Sequence, residues 1–182
     1  SVTGIPTGKL AVWWVIGSEI VIFAGLLGAY IMMRLYHVEE FSQAASNTNT
    51  LLGSINTFIL LTSSLFIVLA HHAAEKGDNE RSFKMIWLTI IGGGTFLLVK
   101  SYEWTTEISH GYILGKNLFW NFYYTAAGLH ALHVIGGMII MAIISLDVRK
   151  NKHLHRVENI GLYWHFVDIV WIFLFPLLYI AK

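Results

Sequence analysis

Cysteine is missing from this 182-residue chain, so it can form no disulfide, no thiolate metal site and no Cys-x-x-Cys-His haem attachment. Any redox centre would have to be built on histidine. Charge is scarce as well: Asp, Glu, Lys and Arg make up 13% of the residues against 55% hydrophobic ones. An ordinary soluble domain carries more charge than that, and a mean hydropathy of +0.60 points the same way. The formal net charge is only +1 and most of the few basic residues sit in connections, which removes the case for nucleic-acid binding.

In place of charge the chain has long apolar runs: Leu10 to Tyr36, Leu51 to Ala74, Phe83 to Ile108, Asn121 to Leu146 and Asn159 to Ala181. At about 25 residues and roughly 1.5 Å per residue, each crosses a hydrocarbon core of about 30 Å with some tilt. The pattern predicts an all-α polytopic membrane protein, a five-transmembrane-helix bundle forming one membrane domain over residues 1–182. The first span is too long for a signal-peptide core and no small-residue cleavage site follows it, so it is expected to be retained.

Lysine and arginine set the orientation. Lys9, Lys76, Arg81, Lys84, Arg149, Lys150, Lys152 and Arg156 fall on the amino-terminal side, eight of the 12 basic residues; Arg34, Lys100, Lys116 and Lys182 fall on the other. The amino terminus is therefore expected in the cytoplasm of a bacterial cell and the carboxyl terminus outside. The longest connection, His37 to Thr50, leaves no room for a soluble catalytic domain.

Helices in lipid associate through small residues and polar seams rather than through the hydrophobic effect. Each span has such a stripe: Gly17, Gly25 and Gly28; Asn56, Ser63, Ala70 and His71; Gly92, Lys100, Glu103 and Glu107; Tyr123, Ala126, His130, His133 and Gly137; and His165 with Asp168 at i, i+3. Bundle packing accounts for most of this.

Glu19 is harder to absorb into packing, because it lies inside an apolar span with no basic residue near it on its own helix. It needs a hydrogen bond from another helix or water, or it governs protonation or substrate access within the membrane. His71, His72, His130, His133 and His165 are the raw material of a haem or di-metal site, but their spacing is poor for one. His71 and His72, at a helix end, are expected to cap carbonyls or meet lipid headgroups, and His165 has Asp168 as a ready partner. Lys100 and Glu103 read as a structural ion pair or as a snorkelling lysine near the outer interface. Gly111 to Asn117 imitates a phosphate loop but has three residues between its glycines and Asn117 where Ser or Thr would hold magnesium. Gly92, Gly93 and Gly94 lie inside a span and mark a close helix contact or a kink.

From about Val12 onward the chain resembles subunit III of the haem-copper terminal oxidases, the cytochrome c and quinol oxidases. Ser18-Glu19 looks like that family's buried Ser-Glu pair. Ile55-Asn56-Thr57, Leu60-Leu61-Thr62-Ser63-Ser64 and His71-His72 are similar to its next helix, and Lys100, Tyr102 and Glu103 echo the one after. Gly128, His130, His133, Val134 and Gly136 look like a Gly-x-His-x-x-His-Val-x-Gly signature, and Tyr163 to Trp171 resembles the final helix almost residue for residue. The likeness departs at Ala127-Gly128, where Thr-Gly is expected, and at Trp120-Asn121, where Gly-Ser is. Seven helices are common in the family; a five-helix form, lacking the two that would precede Lys9, is the expectation here.

The resemblance implies a non-catalytic subunit with no haem or copper of its own, those belonging to the catalytic subunit I on which it packs. It implies bound phospholipid, contacts with the other oxidase subunits, and support for oxygen access, proton uptake and turnover stability. Glu19, His71, His72, His165 and Asp168 are then implied in the lipid cleft, the oxygen route or proton handling, and Asn56, Lys100, Glu103, His130 and His133 in the polar seam. Membership of a larger respiratory supercomplex is left open by the sequence. Two further readings stand beside this one: an accessory subunit of a nitric oxide reductase, and a His-ligated membrane metalloenzyme. A small transporter is disfavoured, since Glu19 has no visible ion-coordinating set and no pair of broken helices is evident.

Overall fold

Asparagine and aspartate side chains fix where three of the helices begin. The Oδ1 atoms of Asn49, Asp78 and Asn117 accept from the backbone N–H of Leu52 (3.1 Å), Arg81 (3.0 Å) and Trp120 (3.0 Å), occupying donors that the first turn leaves unpaired. These caps lie two to five residues before the apolar runs, so the helices start earlier than hydropathy alone indicates. The turn into the second capped helix passes through Gly77 at φ +76°, a backbone conformation that costs a residue with a Cβ about a kcal/mol or more.

The computed structural model describes residues 7–150 and 155–181; Lys152 and Lys182, counted above for orientation, lie outside them. Its helices are α1 (Thr7–Tyr36), α2 (Val38–Ala45), α3 (Thr50–Glu75), α4 (Asn79–Ser109), α5 (Leu118–Arg149) and α6 (His155–Phe175), the last running into a π-helical turn, Pro176–Ile180. All but α2 are long and apolar enough to cross a membrane, and there is no strand among the described residues. The chain is an integral membrane protein. The side on which α1 begins is called the N side below, and the side on which it ends the C side.

The connection from His37 to Thr50 is not simply a loop. It contains α2, whose Glu39 and Glu40 stand in its first turn, where the helix dipole favours them. Phe41, Ala44 and Ala45 are buried beneath it, with the Phe41 ring 5.5 Å from Tyr30 and 5.8 Å from Phe119.

α6 is the central helix, with Trp164 and Trp171 fully buried, and glycines let its neighbours close on it. A Cβ on Gly92 would meet Ser63 at 2.8 Å, one on Gly93 would meet Trp164 at 2.9 Å, and one on Gly137 would meet Trp164 at 3.0 Å. The Gly92–Gly94 run is thus a close contact inside one continuous helix.

The stripe expected on α1 is not where α1 packs. Gly17, Gly25 and Gly28 are exposed, with nothing within 4 Å of an added Cβ. The seam consists instead of Ile16, Phe23 and Tyr30, a heptad spacing that keeps one narrow line of bulky side chains against the bundle. Glycines in a span mark contact only where a helix lies opposite, and here none does. Gly92→Val should cost about 1–3 kcal/mol, as over-packing generally does, while Gly25→Val should stay within about 1 kcal/mol because it faces open space. Thermal unfolding of the detergent-solubilised chain separates the two.

Candidate functional site

Among the described residues, four polar contacts hold α1 to the rest of the bundle. On the N side the Lys9 ammonium lies 2.6 Å from Glu158 Oε1. On the C side the Tyr30 hydroxyl donates to the Leu177 carbonyl at 2.7 Å and Arg34 to the Ala181 carbonyl at 2.6 Å. Midway between them Glu19 Oε2 is 2.9 Å from His133 Nε2 of α5, so the partner that sequence could not supply on α1 comes from another helix.

The protonation of this pair follows from its geometry. His133 Nδ1 is 2.7 Å from the Leu129 carbonyl, which can only accept, so Nδ1 carries a hydrogen. The Nε2···Oε2 contact then holds one further proton, residing on either the carboxyl or the ring. Tyr163 donates to the His133 carbonyl at 3.0 Å, and the Phe23 ring packs edge-on against the imidazole at 5.3 Å. Both side chains remain slightly open, at 15% for His133 and 21% for Glu19.

Two apolar grooves run alongside α1, with neither Glu19 nor His133 in their lining. One, of about 590 Å³, lies between α1 and α6 and is walled by Trp13, Ile20, Phe23, Phe166 and Phe173, with His165 among its edges. The other, of about 380 Å³, lies between α1 and α5 over the first turns of α6, with Arg156 and Asn159 at its N-side end.

His165 and Asp168 do not pair. His165 Nδ1 is 2.5 Å from the Ser64 hydroxyl of α3; Asp168, 3% exposed, faces the same serine, and no protein group meets its two oxygens in hydrogen-bond geometry. Residues three apart share a helix face, but each side chain takes the neighbour its rotamer reaches. An N-side crevice of about 120 Å³ between α3 and α6 has His71, Glu158 and His165 in its lining. His71, Glu158 and His165 thus share one N-side crevice, and Ser64 stands beside both His165 and Asp168. His71 and His72 turn towards Glu75, at 3.5 and 3.8 Å, rather than capping carbonyls.

Lys100 does not snorkel. Its ammonium is 3.1 Å from Glu103 Oε2, with both side chains at most 2% exposed, and it donates to the hydroxyls of Tyr179 and Tyr123, the latter at 3.5 Å. The rings of Tyr179, Trp171 and Tyr123 surround it at 4.8, 5.0 and 5.2 Å, distances at which a desolvated cation–π contact adds about 2 kcal/mol. Tyr123 also contacts Glu103 (3.1 Å), Glu107 (3.0 Å) and Tyr179 (2.8 Å). Tyr179 escaped the sequence reading because it follows Pro176; the proline lacks the donor an α-helical turn needs, the turn widens, and Tyr179 lies buried within it.

His130 donates from Nε2 to the Val167 carbonyl at 3.0 Å, and Asn56 is fully buried with neither amide atom bonded. Among the described residues no group of three or more His, Asp or Glu gathers as a metal site.

A family model described as Cytochrome c oxidase subunit III matches residues 3–182. The chain is 36% identical over 168 residues to cytochrome c oxidase subunit 3 of Thermostichus vulcanus, spanning 90% of this chain and 82% of that one. It is 30% identical over 173 residues to cytochrome c oxidase subunit 3 of Corynebacterium diphtheriae, covering 92% and 84%. A heme-copper oxidase subunit I+III of Aeropyrum pernix is 31% identical over 188 residues, 97% of this chain but 23% of that longer one.

Removing the cation from the buried cluster should be severe. Lys100→Met leaves two carboxylates without it and should cost about 3–5 kcal/mol, whereas Lys100→Met/Glu103→Leu should recover part of that loss. Unfolding of both variants in detergent measures the difference.

Proposed function

The chain belongs to the cytochrome c oxidase subunit III family, and on that premise we propose that it is a non-catalytic subunit of a haem-copper terminal oxidase. It packs on the catalytic subunit I, which holds the haem and copper, and keeps that subunit supplied and stable during turnover. A relative named as subunit I+III supports subunit I as the neighbour, since in that protein both parts share one name and one chain. The bulk of the basic residues supports an amino terminus on the cytoplasmic side of a bacterial membrane.

The observation that carries the reading is the Glu19–His133 contact made by a helix with two apolar grooves alongside it. Phospholipid acyl chains fill both grooves, and the Arg156 guanidinium, although it already pairs with Asp147 at 2.7 Å, marks the N-side end of one of them as a headgroup position. The pair fixes how far α1 stands from α5, and so sets the width of the passage along which oxygen, itself apolar, moves between lipid and the catalytic subunit. The crevice with Glu158, His71 and His165 serves proton collection from the N side.

Glu19→Gln keeps a neutral hydrogen bond and removes the shared proton, a change of about 1 kcal/mol in the contact. Purified mutant oxidase should show normal haem content and assembly, with altered bound lipid or faster loss of activity during turnover. Lipid content and turnover lifetime both equal to the wild type would sink the assignment.

A further inference from the structure

On the C side, the α2–α3 turn and the end of α4 enclose a cavity of about 330 Å³, many times the ~15 Å³ that one water needs. Its rim is exposed and polar, with Asn47, Asn49, Thr106 and His110, and Glu107 lines it from below at 5% exposure. Glu107 Oε2 has no hydrogen-bond partner.

The bonding of the neighbouring cluster explains why that oxygen is left over. The Tyr123 hydroxyl has one hydrogen, yet lies 3.1 Å from Glu103 Oε1 and 3.0 Å from Glu107 Oε1, so it can serve only one of them at a time. Glu103 also has the Lys100 ammonium on its other oxygen. One buried cation therefore faces two buried carboxylates, and Glu107 is the one whose charge lacks a counterpart. Uncompensated buried charge is expensive, and it is relieved either by a proton on the carboxyl or by a counter-charge drawn into the cavity.

We propose that this cavity is a binding site for one partly hydrated monovalent cation, drawn from the C-side aqueous phase and held by Glu107 Oε2. Asn47 supplies a neutral oxygen to it: its Nδ2 donates to the Gln43 carbonyl at 2.9 Å, leaving Oδ1 open. Glu103 also lines the cavity but is paired with Lys100, so a single free carboxylate among neutral oxygens balances one positive charge. A divalent ion would call for more carboxylates, and no cage of three or more His, Asp or Glu exists among the described residues. The site lies apart from both α1 grooves and from the N-side crevice, and does not depend on the roles proposed for them.

Crystals of the complex containing this chain, grown with rubidium or thallium(I) replacing sodium and potassium, provide the test. An anomalous peak beside Glu107 Oε2, absent from the Glu107→Gln variant, is the expected result; its absence from the wild type overturns the proposal. In solution, thermal release of this chain from the solubilised complex is followed at constant ionic strength in potassium, sodium, choline or magnesium chloride. Potassium or sodium should raise the release temperature to a plateau, as mass action requires, and Glu107→Gln should abolish that dependence. An equal effect of choline, or an effect of magnesium alone, contradicts the site. So does a protonated-carboxyl infrared band that Glu107→Gln removes and potassium leaves unchanged, since a proton then holds the place. If Glu107→Gln fails to assemble, Asn47→Ala, at an exposed position, should shift the plateau to higher cation concentration, and an unshifted curve counts against the proposal.

Discussion

A lysine ammonium enclosed by Tyr179, Trp171 and Tyr123 and paired with Glu103 states the constraint under which this chain folds. Hydrocarbon offers nothing to a polar group, so every such group placed in a span dictates which helix stands beside it. Lys100 belongs to α4, Tyr123 to α5, and Tyr179 to the π-helical turn after α6; satisfying one ammonium joins all three. The same rule acts through the indole N–H groups, with Trp164 donating to Ser63 at 2.9 Å and Trp171 to Thr57 at 3.0 Å, both on α3. Glycines at 92, 93 and 137 let the backbones come near enough for these bonds to close.

What that constraint leaves undone is as informative as what it completes. Among the described residues, α1 touches the bundle along one heptad line and four polar contacts, and most of its surface stays open. A helix so lightly packed leaves most of its apolar surface facing away from the bundle. The histidines fit the same picture. His130 bonds the Val167 carbonyl, His133 both Leu129 and Glu19, and His165 the serine on α3. They serve as struts and proton-sharing groups between helices.

Much of this was legible in the sequence, because span length and polar spacing are local properties. The stripes on α3, α4 and α5 do face inward: Asn56, Ser63, Glu103, Glu107, Tyr123 and His130 are all buried. The stripe on α1 was misread, since a glycine looks the same whether it faces a helix or lipid. α2 went unseen because eight amphipathic residues carry too weak a period. The His165–Asp168 pairing failed, and Glu19–His133 was missed, for one reason: partners across helices depend on register between spans, which no single span encodes. Tyr179 was hidden by the change of helical pitch at Pro176. Family resemblance supplied the role, and tertiary geometry supplied the contacts.

The most direct measurement is a mild-detergent pull-down on a carboxyl-terminal tag, with an absorption spectrum of the complex and then of this chain after dissociation. The account predicts haem that co-purifies with a large partner and leaves with it, so that this chain is colourless alone. Haem or metal retained by the isolated chain would contradict the account and make the histidines ligands rather than struts.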